Sequence, residues 1–388
     1  LDIDFSLINT ANGMKKTIYS CISGTPTGFG FGNIYLVTDK NNPNIRITRD
    51  NNGNIDSPYD PMKLEVFSTE DLSGVNAARW GARTGYSLVT DVDYIIYKKN
   101  FEINSLKPYN EDGSVNYDKL AEVIEYQIAN HTDSIIICGT TGESSTMTDE
   151  EHVECIRYCI EKVNKRVPVI AGTGSNDTKY AIDLSKQAEA LGADALLVVT
   201  PYYNKTSQRG LIAHFTAIAD SVNIPIILYN VPSRTGVNIA LDTYVTLSKH
   251  KNIVAVKEAS GNISAIAKII EKCGNDLDVY SGNDDQIVPI MALGGKGVIS
   301  VLSNVAPKET HEIAQYCLDN NIAKAAEMQI KYLDLANNLF IDVNPIPVKE
   351  AMNLMGMNAG ECRLPLVKME QSKIDTLKTS LKNAGFIE

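Results

Sequence analysis

The sequence predicts an α/β protein: a (β/α)8 TIM barrel with a C-terminal helical extension, preceded by a small β-rich N-terminal module. Three observations lead there. From about residue 110 onward, short apolar runs alternate with amphipathic stretches, which is the pattern of βα repeats around a parallel sheet. Those runs recur about every 25 to 30 residues, the length of a strand, a loop and a crossover helix. The first hundred or so residues read differently, being rich in Asn, Asp, Gly, Tyr and Thr.

In the N-terminal module, turn clusters such as Asp39-Lys40-Asn41-Asn42-Pro43 and Asp50-Asn51-Asn52-Gly53-Asn54 separate segments of strand-forming residues at 33–38, 45–48 and 92–97. Asp50 to Asn54 has neither the ligand spacing nor the terminal Glu of a calcium loop, and reads as a solvated hairpin turn. The barrel then needs eight strands. Seven are nearly all apolar, at 134–138, 167–172, 195–200, 225–229, 253–257, 278–281 and 297–301, as expected where both faces of a sheet are covered. The only candidate for the first strand is 101–107, which is unusually polar. Helices are expected at 307–318, 322–338, 346–355 and 371–384, more than a barrel alone requires. The expected division is 1–97 for the module, 98–320 for the barrel and 321–388 for the helical extension.

Composition narrows the function. The chain has 388 residues and a formal charge of -11, with 36 Lys and Arg against 47 Asp and Glu, so a phosphate backbone would repel it. No nucleic-acid partner is expected. No apolar run approaches the roughly 20 residues of a membrane span, and the stretch after Met14-Lys15-Lys16 is too short and polar for a signal peptide. Seven scattered cysteines, odd in number and without C-x-x-C spacing, argue against a disulfide framework and a zinc site and point to a cytoplasmic protein.

In a parallel barrel the loops at the C-terminal strand ends build the active site. This sequence puts chemistry there. Lys257 ends the run Ile253-Val254-Ala255-Val256, where an apolar surround disfavours the ammonium form and favours the neutral amine that an imine-forming nucleophile needs. Taken alone, such a lysine is better explained by snorkelling to the barrel rim or by pairing with Glu258. Its neighbours decide otherwise. Gly139-Thr140-Thr141-Gly142 offers two hydroxyls and flexible backbone N–H groups at a strand-to-helix turn, a cradle for a small carboxylate, although a lone turn of this kind is more often only a helix entry. Tyr229 ends the preceding strand within reach of the amine, where a phenol can shuttle protons or simply pack. Arg234, in a Pro-Ser-Arg-Thr-Gly loop, is suited to clamp a second carboxylate.

Together these motifs resemble the dihydrodipicolinate synthase family, within the N-acetylneuraminate lyase superfamily, over about residues 108–388. The resemblance rests on Gly139-Thr140-Thr141-Gly142-Glu143, Thr200-Pro201-Tyr202-Tyr203-Asn204, Tyr229-Asn230-Val231-Pro232-Ser233-Arg234-Thr235-Gly236 and Lys257-Glu258-Ala259 in family order, followed by Asn344-Pro345-Ile346-Pro347-Val348-Lys349. It implies a lyase with 4-hydroxy-tetrahydrodipicolinate synthase activity: a class I, Schiff-base condensation of pyruvate with L-aspartate 4-semialdehyde in lysine and diaminopimelate biosynthesis, with no cofactor and no metal. By the same resemblance Lys257 attacks pyruvate, Tyr229, Thr140 and Tyr203 relay protons, and Thr141 holds the pyruvate carboxylate. Arg234 binds the semialdehyde carboxylate, while Gly282 and Ile299 line the pyruvate pocket. Tyr203 comes from a neighbouring subunit, which implies a homo-oligomer, usually a dimer of dimers. The alternatives are another pyruvate-dependent class I aldolase of the superfamily, from which Arg234 distinguishes it, or an inactive barrel scaffold that displays the N-terminal module.

Two departures stand out. The family's first strand is a small apolar run, whereas this chain has Asn104 and Lys107 there, so the junction with the N-terminal module is expected to replace that strand. In the family's lysine-binding allosteric site Ser144, His152, Asn176 and Tyr202 match, but Tyr180 stands in place of an acidic residue. Feedback by lysine is therefore expected to be weak or absent, and inhibition at sub-millimolar lysine would contradict this.

Overall fold

Eight parallel strands carry the fold, and their apolar residues sort by a period of two into an inner and an outer layer. The computed structural model describes residues 108–110 and 112–388, with the backbone of five short strands before them. The chain divides into two units, Leu1–Ile95 and Ile96–Glu388. In the first, β1 (Val37–Asp39) pairs antiparallel with β4 (Leu64–Val66), and β2 (Thr48–Arg49) pairs antiparallel with β3 (Ile55–Asp56). The turn expected at Asp50 to Asn54 falls between β2 and β3 but, like the strand expected at 92–97, lies outside the described residues.

The second unit holds one sheet in which each strand lies beside its sequence neighbour: β5 (Ile103–Asn104), β6 (Ser134–Ile137), β7 (Val169–Gly172), β8 (Ala195–Val199), β9 (Ile226–Asn230), β10 (Ile253–Glu258), β11 (Asp278–Ser281) and β12 (Gly297–Val298). All seven pairings are parallel. The first strand thus lies within the polar segment, with Ile103 opposite Ser134 and Asn104 opposite Ile135. The last strand is shorter than its apolar run. There the buried Asp284 carboxylate accepts the N–H groups of Val301 and Leu302, at 3.0 and 2.9 Å, and the chain turns into a 3-10 helix at Leu302–Asn304.

Local sequence explains the helices. Helix Asp149–Val163 begins with a capping box in which the Thr148 hydroxyl accepts from the Glu151 N–H and the Glu151 carboxylate accepts from the Thr148 N–H. Helix Thr178–Leu191 is capped by Asp177 and stops at Gly192, whose φ of 94° suits a residue without a Cβ. The last four helices, Pro307–Leu318, Ile322–Asn338, Ile346–Leu354 and Gln371–Ala384, follow the expected segments closely. Among the described residues no helix is long and apolar enough to cross a membrane.

Packing follows the alternation. Ile135, Ile137, Val169, Ala171, Leu196, Val198, Ile226 and Leu228 form one cluster with the surrounding helices, while Ile136, Ile170, Ala195, Leu197, Ile227 and Tyr229 meet on the opposite face of the sheet. A third cluster, including Leu335, Val348, Met352, Leu377 and Leu381, forms the core of the C-terminal helices. At about 25 cal/mol for each Å² of apolar surface removed from water, these layers supply the main drive for folding.

Candidate active site

On β9 and β10 the backbone register sets two candidate side chains side by side. Lys257 lies opposite Tyr229, and Glu258 opposite Asn230. A β-bulge between Ile253 and Ala255 is essential to this. It inserts Val254 as an extra residue, so that Ala255 joins the inner cluster and Val256 the outer one. Lys257 therefore points inward, with its Nζ 4.5 Å from the centroid of the Tyr229 ring. Glu258 points the other way and is 1% exposed. Its carboxylate accepts from the Tyr244 hydroxyl at 2.6 Å, from Asn230 Nδ2 at 3.0 Å and from the Ser260 N–H at 2.8 Å. Burial, and then the carboxylate, hold the Tyr244 phenol well above its ordinary pKa, so it stays a donor.

Gly282 is needed where β11 ends beside β10. Its N–H donates to the Glu258 carbonyl at 2.8 Å, and a Cβ there would fall 2.6 Å from the Ala259 Cβ. The next turn carries Asp284, whose carboxyl is raised above the usual range by complete burial, opposed by hydrogen bonds from Ser300, Leu302 and Val301 and by the charge of Lys257.

The other wall comes from the turn after β6. Cys138 turns the chain with a φ of 62°, and the N–H groups of Gly142 and Glu143 donate to the carbonyls of Gly139 and Thr140 at 3.1 and 3.0 Å. Thr141 is buried, and its hydroxyl accepts from Asn344 Nδ2 at 3.1 Å. Arg234 lies in the helical turn Pro232–Thr235 and donates through Nη2 to the Asn344 carbonyl at 3.3 Å. Behind this wall Lys349 and Glu143 form an ion pair at 2.6 Å. Burial pulls the Lys349 ammonium below its ordinary pKa, against the stabilising pull of Glu143.

These walls enclose a cavity of about 220 Å³ lined by Thr140, Thr141, Tyr229, Arg234, Lys257, Gly282 and Ile299 among others. Seven of the eight residues expected at the site thus meet in one place. Tyr203 does not line it: the side chain is 92% exposed on a residue with a φ of 66°. Phe340, Asn344, Ser233, Ser300 and Val301 also line the cavity, and sequence reasoning gave them no role. For Asn344 the signal was present in the Asn344-Pro345-Ile346-Pro347 motif, but nothing in a linear sequence says which strand end that motif meets.

The residues of the expected allosteric set lie outside the cavity lining. Asn176 Nδ2 donates to the Tyr202 carbonyl at 3.1 Å, and the Tyr202 side chain is 38% exposed. His152 is buried, with Nε2 2.8 Å from the Gly172 carbonyl, and Ser144 opens the 3-10 turn Ser144–Thr146. The Tyr180 hydroxyl donates to Asp149 Oδ1 at 2.7 Å, and desolvation, followed by that carboxylate, raises its pKa to about 12.

Comparison with known proteins identifies the family. The model of the dihydrodipicolinate synthetase family matches residues 102–384, a span that includes β5. The chain is 58% identical over 282 residues to the 4-hydroxy-tetrahydrodipicolinate synthase of Acetivibrio thermocellus, covering 73% of this chain and 96% of that one. It superposes on the dihydrodipicolinate synthase of Aquifex aeolicus with a TM-score of 0.72 and 44% identity, over 74% of this chain and 98% of that one. The chloride-inhibited synthase of Acinetobacter baumannii, solved with pyruvate, gives a TM-score of 0.74 at 42% identity, over 75% and 100%. A lysine and a tyrosine fixed by strand register, a threonine turn closed by the C-terminal segment and a match across most of the chain lead to one conclusion: this chain belongs to the dihydrodipicolinate synthetase family.

Proposed function

We propose that the chain condenses pyruvate with L-aspartate 4-semialdehyde to give 4-hydroxy-tetrahydrodipicolinate, using Lys257 as the Schiff-base nucleophile. The observation that carries this reading is Lys257 Nζ, 4.5 Å from the Tyr229 ring centroid, in a cavity that also presents Thr140, Thr141 and Arg234. In this reading the Lys257 amine attacks the keto carbon of pyruvate and water leaves, giving an imine. Loss of a methyl proton yields an enamine, whose carbon attacks the aldehyde and takes its oxygen to a hydroxyl. The amino group of the semialdehyde part then displaces Lys257 as the ring closes. Tyr229 and Thr140 carry the protons, Thr141 holds the pyruvate carboxylate, and Arg234 holds the carboxylate of the aldehyde. The protonated imine itself is the electron sink, so the steps draw on this chain's side chains and its two substrates.

Two further features belong to the same reading. The eight strands close into a (β/α)8 barrel, which the superposition on family structures supports. The exposed Tyr203 reaches the cavity of a second copy, so activity belongs to a homo-oligomer, with a dimer of dimers as the expected form. Intact-mass spectrometry after pyruvate and borohydride tests the chemistry: the expected pyruvyl adduct forms on the wild type and is lost in Lys257→Ala. A folded wild type without the adduct defeats the reading.

A further inference from the structure

The C-terminal segment grips the threonine turn at two points. Asn344 Nδ2 donates to the Thr141 hydroxyl, and five residues later Lys349, on helix Ile346–Leu354, reaches Glu143, the last residue of the turn. The two charged side chains are 2% and 1% exposed and 2.6 Å apart. Both are further tied down. Lys349 Nζ donates to the Glu361 carbonyl at 3.0 Å and lies 4.1 Å from the centroid of the Tyr109 ring, while Glu143 Oε2 accepts from the Arg363 N–H at 2.9 Å. Glu143 itself has a φ of 53°, and its N–H donates to the Thr140 carbonyl. The backbone of Glu143 therefore holds Thr140 while its carboxylate is held from behind.

A buried ion pair is a poor source of net stability, because the cost of desolvating two charges is comparable to their attraction, and an apolar pair of similar volume often does as well. What the pair supplies is direction. A carboxylate that must meet one ammonium and one N–H has a single orientation, whereas two apolar side chains in the same space permit several. We propose that Glu143 and Lys349 are positioning residues for the reaction: their ion pair sets where Thr140 and Thr141 stand relative to Lys257 and so sets the affinity for the carboxylate of a 2-keto acid. This rests on the pyruvate chemistry proposed above.

The test uses the full chain carrying Glu143→Leu with Lys349→Met. Active sites are counted as borohydride-trapped pyruvyl adducts, kcat is expressed per active site, and KM for pyruvate is measured alongside it. A misplaced turn raises KM for pyruvate about tenfold, with the unfolding midpoint retained. A pair that only supports folding lowers the number of trapped sites and leaves KM unchanged, and that result overturns the proposal. If the double variant does not fold, Glu143→Gln keeps the side-chain volume and weakens the pair: about a threefold rise in KM is expected, and an unchanged KM overturns the proposal. A wild type that forms no adduct defeats the underlying chemistry instead, so the two failures are told apart.

Discussion

The two walls of the cavity are built by different physics. Lys257 and Tyr229 stand on adjacent strands, and the parallel hydrogen-bond ladder fixes their separation. Thr140 and Thr141 stand on a turn held by side chains from residues roughly 200 positions later in the chain, Asn344 and Lys349. Backbone bonds alone place the first pair, whereas the turn is tied as well by side-chain contacts from distant residues and by the Arg363 N–H. In the proposed reaction the strand wall supplies the Schiff-base lysine, and in the proposed role of the Glu143–Lys349 pair the turn wall sets the affinity for the keto acid.

Substitutions ranked by expected effect sharpen this contrast. Tyr229→Phe keeps the ring beside Lys257 and removes the proton-carrying hydroxyl, so kcat should fall by about 10² to 10⁴ while the borohydride adduct still forms. A variant with full kcat would place the relay elsewhere. Arg234→Ala, on the loop wall, should raise KM for the semialdehyde about tenfold or more, the value of a charged hydrogen bond of roughly 1.5 to 3 kcal/mol, and leave pyruvate trapping intact. Equal losses for both substrates would mean that Arg234 organises the whole cavity. Tyr244→Phe, behind the strand wall, leaves the buried Glu258 short of one donor and should cost about 1 to 3 kcal/mol of stability by denaturant unfolding. If the ladder alone fixes Lys257, KM for pyruvate in that variant stays at the wild-type value, and a large rise would show that the outer face of β10 also sets the nucleophile.

The effect that is smallest near neutral pH is a pH dependence of stability, from a histidine outside the cavity lining. His214 is buried, its Nδ1 is 2.9 Å from the Thr178 hydroxyl, its Nε2 has no hydrogen-bond partner among the described residues, and desolvation lowers its pKa to about 4. Between about pH 6.5 and 4 the unfolded chain binds a proton at this histidine that the folded chain does not, so stability falls as pH falls through that window and is unaffected above it. His214→Gln should flatten that part of the stability profile, measured by urea unfolding. An unchanged slope would assign it to other groups.

Much of this was legible in the sequence. Each apolar run from 134 onward became a strand, because a strand covered on both faces must be apolar throughout, and the reactive residues followed those runs at once. The Lys257, Tyr229, Thr140, Thr141 and Arg234 set was therefore readable as a group. Less legible was the first strand, whose polar sequence hides a short parallel pairing at Ile103–Asn104, and the early end of the last, which the distant carboxylate of Asp284 imposes. Asn344 and Lys349 were readable only as part of a motif, since hydrogen-bond partners so far apart in sequence leave no local pattern.

Sequence by itself determined the order of the strands and which residues lie near their ends, because apolar periodicity and chain length are local properties. It did not determine which way Lys257 points. Strict alternation from Ile253, on the outer face, would put Lys257 outside among the helices with Ile253. The bulge at Val254 reverses it, and a bulge is decided by how β9 and β10 fit against each other and the layers on either side. Tertiary structure also decided that a buried acid and a buried base more than two hundred residues apart would meet behind the threonine turn, since only the folded chain brings the two charges out of water together.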